Sequence, residues 1–344
     1  MSTIKNIAAN HELRLTDRVT EQPEVIFIGD SCMGTLGNFS ASTGKAKSKK
    51  TFNVTAMVAA ALLNGEQVLN YRVRMPQDKR TVAYFDTEQS RFHCMKVLRR
   101  IARLTRQPLQ HHPEHLKFVA LRDLSPQQRI AVIEEVVTTT PDLGLVIIDG
   151  VRDLMYDINA PKEATEVIGK LMEWTGKYNL HIHTVLHLNK SDDHARGHIG
   201  TELCNKAETV LQITRHSSDS SISTVAATFI RSKDFEPFAF CINDAGLPQL
   251  TTLMFSNPET GKIEPFPYTE LSAEQHREAL DIAFADGPIR GVLEIEQALK
   301  KAYAQTGFRY PDRKVKQLKT FLTNKRLIVR GEDRAWRINP YYTF

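Results

Sequence analysis

A chain of 344 residues, 41% hydrophobic and 25% charged, is long enough for one large core plus a smaller attached domain, and its composition is that of a soluble globular protein. The net charge of +5 permits a nucleic-acid partner without requiring one, so where the charge sits matters more than its sum. Apolar runs such as Ala56 to Leu63 are too short to cross a bilayer, which excludes a membrane span.

Residues 1–22 are polar and mixed in charge and read as a loosely held arm or a short helix packed on a neighbour. Met1 to Asn10 carries no long apolar stretch behind a basic start, so no signal peptide is expected. Cys32, Cys94, Cys204 and Cys241 lie too far apart for a zinc or redox pair and read as buried thiols of a cytoplasmic protein. Val25 to Ile28 is β-prone, and Leu36 to Ala41 is the expected strand into the small-residue and lysine run that follows.

That run, Ser42 to Thr51, reads as a phosphate-binding loop. A Walker A motif is a glycine, four free positions, a second glycine, then Lys and Ser or Thr, and Gly44 to Thr51 satisfies all but one position: Lys49 stands where the second glycine belongs. A side chain there restricts the turn unless it adopts the required φ. In such a loop the backbone N–H groups and the helix N-terminus cradle phosphates. The expected nucleotide contacts are Gly44, Lys45, Ala46, Lys47, Ser48, Lys49, Lys50, Thr51 and Phe52. Lys50 would reach the β- and γ-phosphates of ATP and Thr51 would coordinate Mg²⁺. Phe52 to Leu63 then reads as an apolar helix stopped at Asn64-Gly65.

Arg80 to Asp86 reads as a buried strand ending in Asp86-Thr87-Glu88-Gln89, acids at the strand end where open α/β sheets bind ligands. Phe92 to Leu104 is a basic amphipathic helix with Arg99, Arg100 and Arg103 expected on view, Lys117 to Leu121 a strand, and Ser125-Pro126 a helix start running through Val137. Leu143 to Gly150 is a continuous apolar strand ending in Asp149, the Walker B form, whose carboxylate would hold Mg²⁺ through water beside Thr51. The cluster His111-His112-His115 reads as a loop around Pro113. Glu163 to Tyr178 is a helix, and Leu180 to Leu188 a strand carrying His181, His183 and His187. A long polar loop is expected over Asn189 to Gly200, then a strand led into by Lys206 to Ile213, a turn at Ser217 to Ser221, and β pattern over Thr224 to Lys233 and Phe238 to Cys241. The whole predicts an α/β fold, a mostly parallel sheet flanked by helices with an antiparallel edge.

This order of motifs resembles the RecA-like P-loop ATPases, particularly the RepA group of hexameric plasmid-replication helicases and the DnaB-like helicases, over roughly Gly29 to Asp244. Beside the Walker segments, Tyr84 to Glu88 looks like the strand whose terminal glutamate activates the attacking water, and Val185 to Lys190 is similar to the segment that senses the γ-phosphate. The resemblance implies Glu88 as base and His187 as sensor. Ile230 to Phe238 resembles the strand bearing basic residues that act on a neighbouring subunit's site, which implies Arg231 and Lys233 as trans-acting fingers, with Arg215 the choice by analogy with DnaB-like proteins. Tyr156 to Lys162 and Ser191 to Glu202 match the positions of loops that hold single-stranded DNA, where Lys190, Arg196 and His198 would meet phosphate. Arg231 and Lys233 fall near the end of a core that spans residues 23–264.

From Pro265 the composition shifts. Helix patterns from Ser272 to Ala285, Leu293 to Tyr303 and Pro311 to Leu322, then a hairpin of Leu327 to Val329 with Ala335 to Ile338, look like a winged helix over residues 265–344. Arg313, Lys314, Lys316 and Lys319 would face DNA from its third helix, and Lys325, Arg326, Arg330, Arg334 and Arg337 from its wing. The reading is a ring-forming, hexameric ATPase of a plasmid or mobile element, acting on single-stranded DNA through the ring and on duplex through the winged helix. The alternatives are a RecA-like recombination or repair ATPase that does not unwind, and a DNA-binding regulator switched by nucleotide.

Overall fold

The computed structural model describes residues 11–188, 197–216, 220–251, 254–256, 263–265, 268–331 and 333–340. Among these, the chain forms β1 (Glu24–Ile28), β2 (Ser31–Thr35), β3 (Phe39–Gly44), α1 (Lys50–Leu63), β4 (Gln67–Val68), β5 (Tyr71–Val73) and β6 (Thr81–Asp86). There follow α2 (Arg91–Leu104), β7 (Leu116–Ala120), α3 (Pro126–Thr139), β8 (Leu143–Asp149), α4 (Pro161–Tyr178), β9 (His181–His187) and α5 (Gly197–Lys206). Then come β10 (Thr209–Arg215), β11 (Ile222–Ile230), β12 (Phe238–Ile242), β13 (Pro248–Thr251) and the antiparallel pair β14 (Met254–Ser256) and β15 (Ile263–Pro265). The C-terminal elements are α6 (Ala273–Ala283), β16 (Ile289–Arg290), α7 (Val292–Gln305), α8 (Asp312–Asn324), β17 (Ile328–Arg330) and β18 (Ala335–Ile338).

Among the described residues, nine strands form one sheet in the order β13-β12-β11-β10-β3-β9-β8-β6-β7. From β10 to β7 every neighbour is parallel, and β11 to β13 add an antiparallel edge. This is the mixed α/β, RecA-like core expected from the sequence. Alternate residues of a strand face opposite sides. Val82, Tyr84, Leu145 and Ile147 therefore pack with α1 and α2 on one face, while Ala83, Phe85, Val146 and Ile148 pack with α3, α4 and α5 on the other. Burial on both faces is why these strands read as unbroken apolar runs.

Helix α1 is buried from Asn53 through Ala61 because a smaller antiparallel sheet, β2-β1-β5-β4, packs on it as well as the main sheet. It ends at Asn64, which adopts the left-handed conformation expected of a stop residue (φ 46°) and accepts the Met75 N–H at 2.6 Å. The start of α3 is likewise as expected, with Pro126 in the first turn and a reciprocal capping box between Ser125 and Gln128.

Some boundaries differ from expectation. The strand entering the loop is Phe39–Gly44 rather than Leu36 to Ala41, because pairing with β9, from Phe39 opposite Ile182 to Gly44 opposite His187, decides its span. The polar loop does not extend to Gly200: α5 begins at Gly197, since Ile199 and Leu203 supply an apolar stripe that packs under the sheet. Lys206 therefore closes a helix, β10 starts at Thr209, and β11 runs from Ile222 to Ile230 rather than reaching Lys233.

In the C-terminal part, α6, α7 and α8 and the antiparallel sheet β16-β18-β17 share a core that includes Leu280, Ile295, Leu299, Tyr303, Leu318, Ile328 and Trp336. The Ser272–Gln275 capping box opens α6, as its sequence predicts. Among the described residues no helix is long and apolar enough to cross a membrane.

Trp174 of α4 is 1% exposed and packs in the core beneath β8 and β9. Trp174→Ala should cost about 3–5 kcal/mol of stability in denaturant unfolding with an unchanged m value. A cost below about 1 kcal/mol contradicts this packing.

Candidate functional site

Since β3, β6, β8, β9 and β10 run parallel, their C-terminal ends open on one end of the sheet. There a cleft of about 330 Å³ is lined by Lys47 to Phe52, Glu88, Asp149 and His187, together with residues of α2. The sequence-predicted Lys50, Thr51, Glu88, Asp149 and His187 thus meet in one place.

The loop closes tightly on β10. A Cβ on Gly44 would lie 2.4 Å from the Ile213 carbonyl oxygen and 2.6 Å from Ser48 Oγ, so the first motif glycine is required by close approach. Lys49 does adopt the left-handed conformation the missing glycine would have taken (φ 67°, ψ 28°), as does Lys47 (φ 65°). That conformation costs a non-glycine residue roughly 1–2 kcal/mol. Lys49 directs its ammonium to the hairpin formed by β10 and β11, donating to the Ser220 carbonyl at 3.0 Å and to Ser223 Oγ at 3.1 Å. No side chain caps α1 and its first turn holds no acid, leaving the positive end of the helix toward the loop. Ser48 Oγ is buried there without a hydrogen-bond partner, a polar atom positioned for a ligand.

Lys50 folds back over the loop, donating to the Gly44 carbonyl at 2.7 Å and the Lys45 carbonyl at 3.0 Å, with His187 Nδ1 3.1 Å away. Burial pulls its pKa down to about 8, against the opposing pull of Glu88 and Asp149. Asp149 accepts hydrogen bonds from Thr51 Oγ1 at 3.0 Å and Tyr84 OH at 2.7 Å. Burial, with Asp86 nearby, pushes its carboxyl up to about 6. Glu88 Oε2 lies 3.4 Å from His187 Nε2. Burial pushes Glu88 up, but His187, Lys50 and Arg152 hold it below the ordinary carboxylate range.

The position of Glu88 follows from a turn. Asp86 accepts the backbone N–H groups of Glu88 at 3.1 Å and Gln89 at 2.8 Å, and the Gln89 amide at 2.7 Å. Thr87 donates its hydroxyl into the carbonyls of Asp149 and Gly150, about the same distance from each (3.0 and 2.9 Å). Gly150 makes room for it: φ is 108°, and a Cβ would come within 2.2 Å of Thr87 Oγ1. The two acidic strand ends are therefore clamped side by side.

The remaining predicted residues are spread out. Arg215 stands at the end of β10 beside its own phosphate loop, its Nε donating to the Ser220 carbonyl at 3.0 Å. Arg231 follows β11 at the opposite end of the sheet, where its guanidinium donates to the Lys206 carbonyl at 3.3 Å, and Lys233 is exposed in the adjoining segment. Lys190 and Arg196 lie outside the described residues; His198 is in the first turn of α5, its N–H on the Ile158 carbonyl at 3.1 Å, so the segments after β8 and β9 are in contact.

Arg100, expected on view, instead turns inward, its guanidinium 3.6 Å from the Phe52 ring centroid with Nη1 buried and without a partner. Arg99 and Arg103 are exposed as expected. His93, Lys96 and Arg100 also line the cleft; their spacing of three, four and seven residues, which puts them on one helix face, was the available signal. In the C-terminal part Arg313 and Lys316 are exposed, but Lys319 is tucked against Glu296, Arg337 is paired with Asp333 at 2.7 Å, and Arg330 stacks over Trp336.

These groups fit a nucleoside triphosphate with Mg²⁺: an uncapped helix start and two lysines for phosphate, and a hydroxyl and a carboxyl as hard oxygen donors. No curated protein matches the chain. Among similar solved structures, one titled as the crystal structure of the RadB recombinase shares 16% identity, covers 61% of this chain and 90% of that chain, and superposes with a TM-score of 0.43. Residues 20–193, half of the chain, match the AAA domain. With the phosphate loop, the two acidic strand ends and the parallel sheet in place, the chain belongs to the AAA domain family, as a P-loop ATPase with a RecA-like core.

Proposed function

We propose that the protein is a DNA-associated ATPase, a ring-forming motor or helicase of the RepA and DnaB kind from a plasmid or mobile element, which hydrolyses ATP at subunit interfaces. The observation that carries this reading is the convergence of Lys50, Thr51, Glu88, Asp149 and His187 on one cleft at the strand ends. Phosphoryl transfer demands positioning and charge neutralisation more than covalent chemistry. In this reading Lys50 exchanges its two carbonyl partners for the β- and γ-phosphates, and the Ser48 hydroxyl and the N–H groups of Lys49 to Phe52 complete the cradle. Thr51 and Asp149 would hold Mg²⁺, which when bound would neutralise phosphate charge. Glu88, held ionised beside His187, accepts the proton of the attacking water, and His187, within reach of both Glu88 and Lys50, reports the terminal phosphate to the base.

The cation still required from outside is assigned to Arg231 and Lys233 of a neighbouring subunit, supported by their place at the far end of the sheet from their own cleft, with a neighbouring subunit's Arg215 the alternative by analogy with DnaB-like proteins. The C-terminal unit is proposed as a winged helix: its helix order and antiparallel sheet suit that fold, and Arg313 and Lys316 on α8 present charge for DNA phosphates. The contact between the Ile158 and His198 segments supports their role as adjoining DNA-holding loops.

Lys50→Ala should abolish ATP turnover and leave the unfolding transition intact; retained turnover in that variant rejects this register of the loop. Turnover of the parent should rise with single-stranded DNA and the particle should enlarge with nucleotide, measured by phosphate release and light scattering. A monomer that is silent in both conditions favours a nucleotide-switched regulator instead. The raised carboxyl of Asp149 contributes stability below pH 4 that is lost as pH rises through about 6. Asp149→Asn should therefore stabilise the nucleotide-free protein at pH 7.5 by up to about 3 kcal/mol and by nothing near pH 3; a gain independent of pH contradicts it.

A further inference from the structure

At the position where a glycine would serve the loop, Lys49 holds a left-handed backbone and sends its ammonium 3.0 Å from the Ser220 carbonyl and 3.1 Å from Ser223 Oγ. These acceptors belong to a part of the β10–β11 hairpin that the main sheet does not hold from the loop side. The β3–β10 ladder stops at Thr43 opposite Gln212, whereas β10 continues to Arg215, paired with Ser223 of β11. The hairpin thus overhangs the last ladder pair by three residues of β10. Arg215 donates to the same Ser220 carbonyl at 3.0 Å, so one oxygen gathers a cation from the phosphate loop and a cation from the hairpin. Ser223 is fully buried, which anchors the tether at the level of Arg215.

We propose that Lys49 is a positioning residue that fastens the overhanging β10–β11 hairpin, and Arg215 with it, to the phosphate loop, so that the state of the loop is passed to the hairpin. A glycine would satisfy the backbone at this position but break the link. The proposal rests on reading residues 44–51 as a phosphate loop for its functional half, while the tether itself exists without nucleotide.

The test is hydrogen exchange on the full chain, without nucleotide and with Mg²⁺-ADP, for the parent, Lys49→Gly, Lys49→Arg and Ser223→Ala, alongside steady-state ATP hydrolysis. In Lys49→Gly the amides of 213–215 and 222–224 should exchange about tenfold faster without nucleotide, the loss expected for charge-assisted hydrogen bonds at a half-buried site. Ser223→Ala should move the same amides in the same direction by less, and Lys49→Arg should restore protection. Because glycine supports the loop conformation, kcat should fall about tenfold in Lys49→Gly while KM for ATP moves by less than about twofold. Unchanged exchange at the hairpin in Lys49→Gly overturns the tether, and kcat and KM lost together assign Lys49 to the loop alone. If Lys49→Gly fails to fold, Ser223→Ala decides by the same exchange readout. A parent that turns over no ATP overturns the proposed function and leaves the exchange comparison to judge the tether.

Discussion

The pairing of β3 with β9 is the constraint on which the rest of the site depends. With Gly44 opposite His187, that register puts the start of the phosphate loop beside the γ-phosphate sensor candidate and sets which side chains face the cleft. A row of buried hydrogen bonds holds it. Ser42 Oγ is 2.8 Å from His183 Nε2, Ser40 Oγ is 2.8 Å from His183 Nδ1 and 2.7 Å from His181 Nε2, and His181 Nδ1 is 2.8 Å from the Thr35 carbonyl. A carbonyl only accepts, so His181 carries its proton on Nδ1, and the donors then run in one direction from Ser42 through His183 and Ser40 to His181 and Thr35. Burial pulls His183 down to about 3 and His181 to about 4, so both stay neutral and the row keeps its direction at ordinary pH. Slipping the strands by one residue would orphan every member, a cost that apolar packing alone would not impose.

Above that row the cleft is arranged for a charged ligand at the expense of the empty fold. Lys50 and Asp149 are buried, with Asp86 and Glu88 close by, and burial disfavours the ionised form of both Lys50 and Asp149. Tyr84 and Thr51 hydroxyls on Asp149, and backbone carbonyls on Lys50, compensate only in part. In the proposed function a phosphate chain and a divalent cation would bring the missing counter-charges, so that binding energy and relief of this strain would act together.

Basic residues illustrate how little a count of charge says about where charge is available. Arg100 is spent on the Phe52 ring, Lys319 on Glu296, Arg337 on Asp333 and Lys49 on the β10–β11 hairpin. What remains open on α8 is Arg313 and Lys316. Arg337 finds its partner four residues away in its own hairpin, but Phe52, Glu296 and the acceptors of Lys49 lie on other elements that no local spacing rule foretells.

Local pattern foretells the strands β3, β6, β7, β8 and β9 with helices α1 to α4 between them, the caps at Ser125, Asn64 and Ser272, and the places of Lys50 and Thr51 at a helix start and of Glu88, Asp149 and His187 at strand ends, because these follow from period, turn chemistry and local motif. The limits of β3, the existence of α5 where a loop leading into a strand was expected, the small sheet over α1, the inward turn of Arg100 and the link from Lys49 to Ser220 and Ser223 come from the folded sheet and its neighbours. The physical reason is one of range. Backbone preference and amphipathic period act over a few residues, whereas a strand's span is set by a partner, as Phe39 is by Ile182, more than 100 residues away. Lys49 stands at the meeting of the two: its backbone conformation is a local demand of the loop, and its side chain answers to a hairpin that only the folded sheet brings beside it.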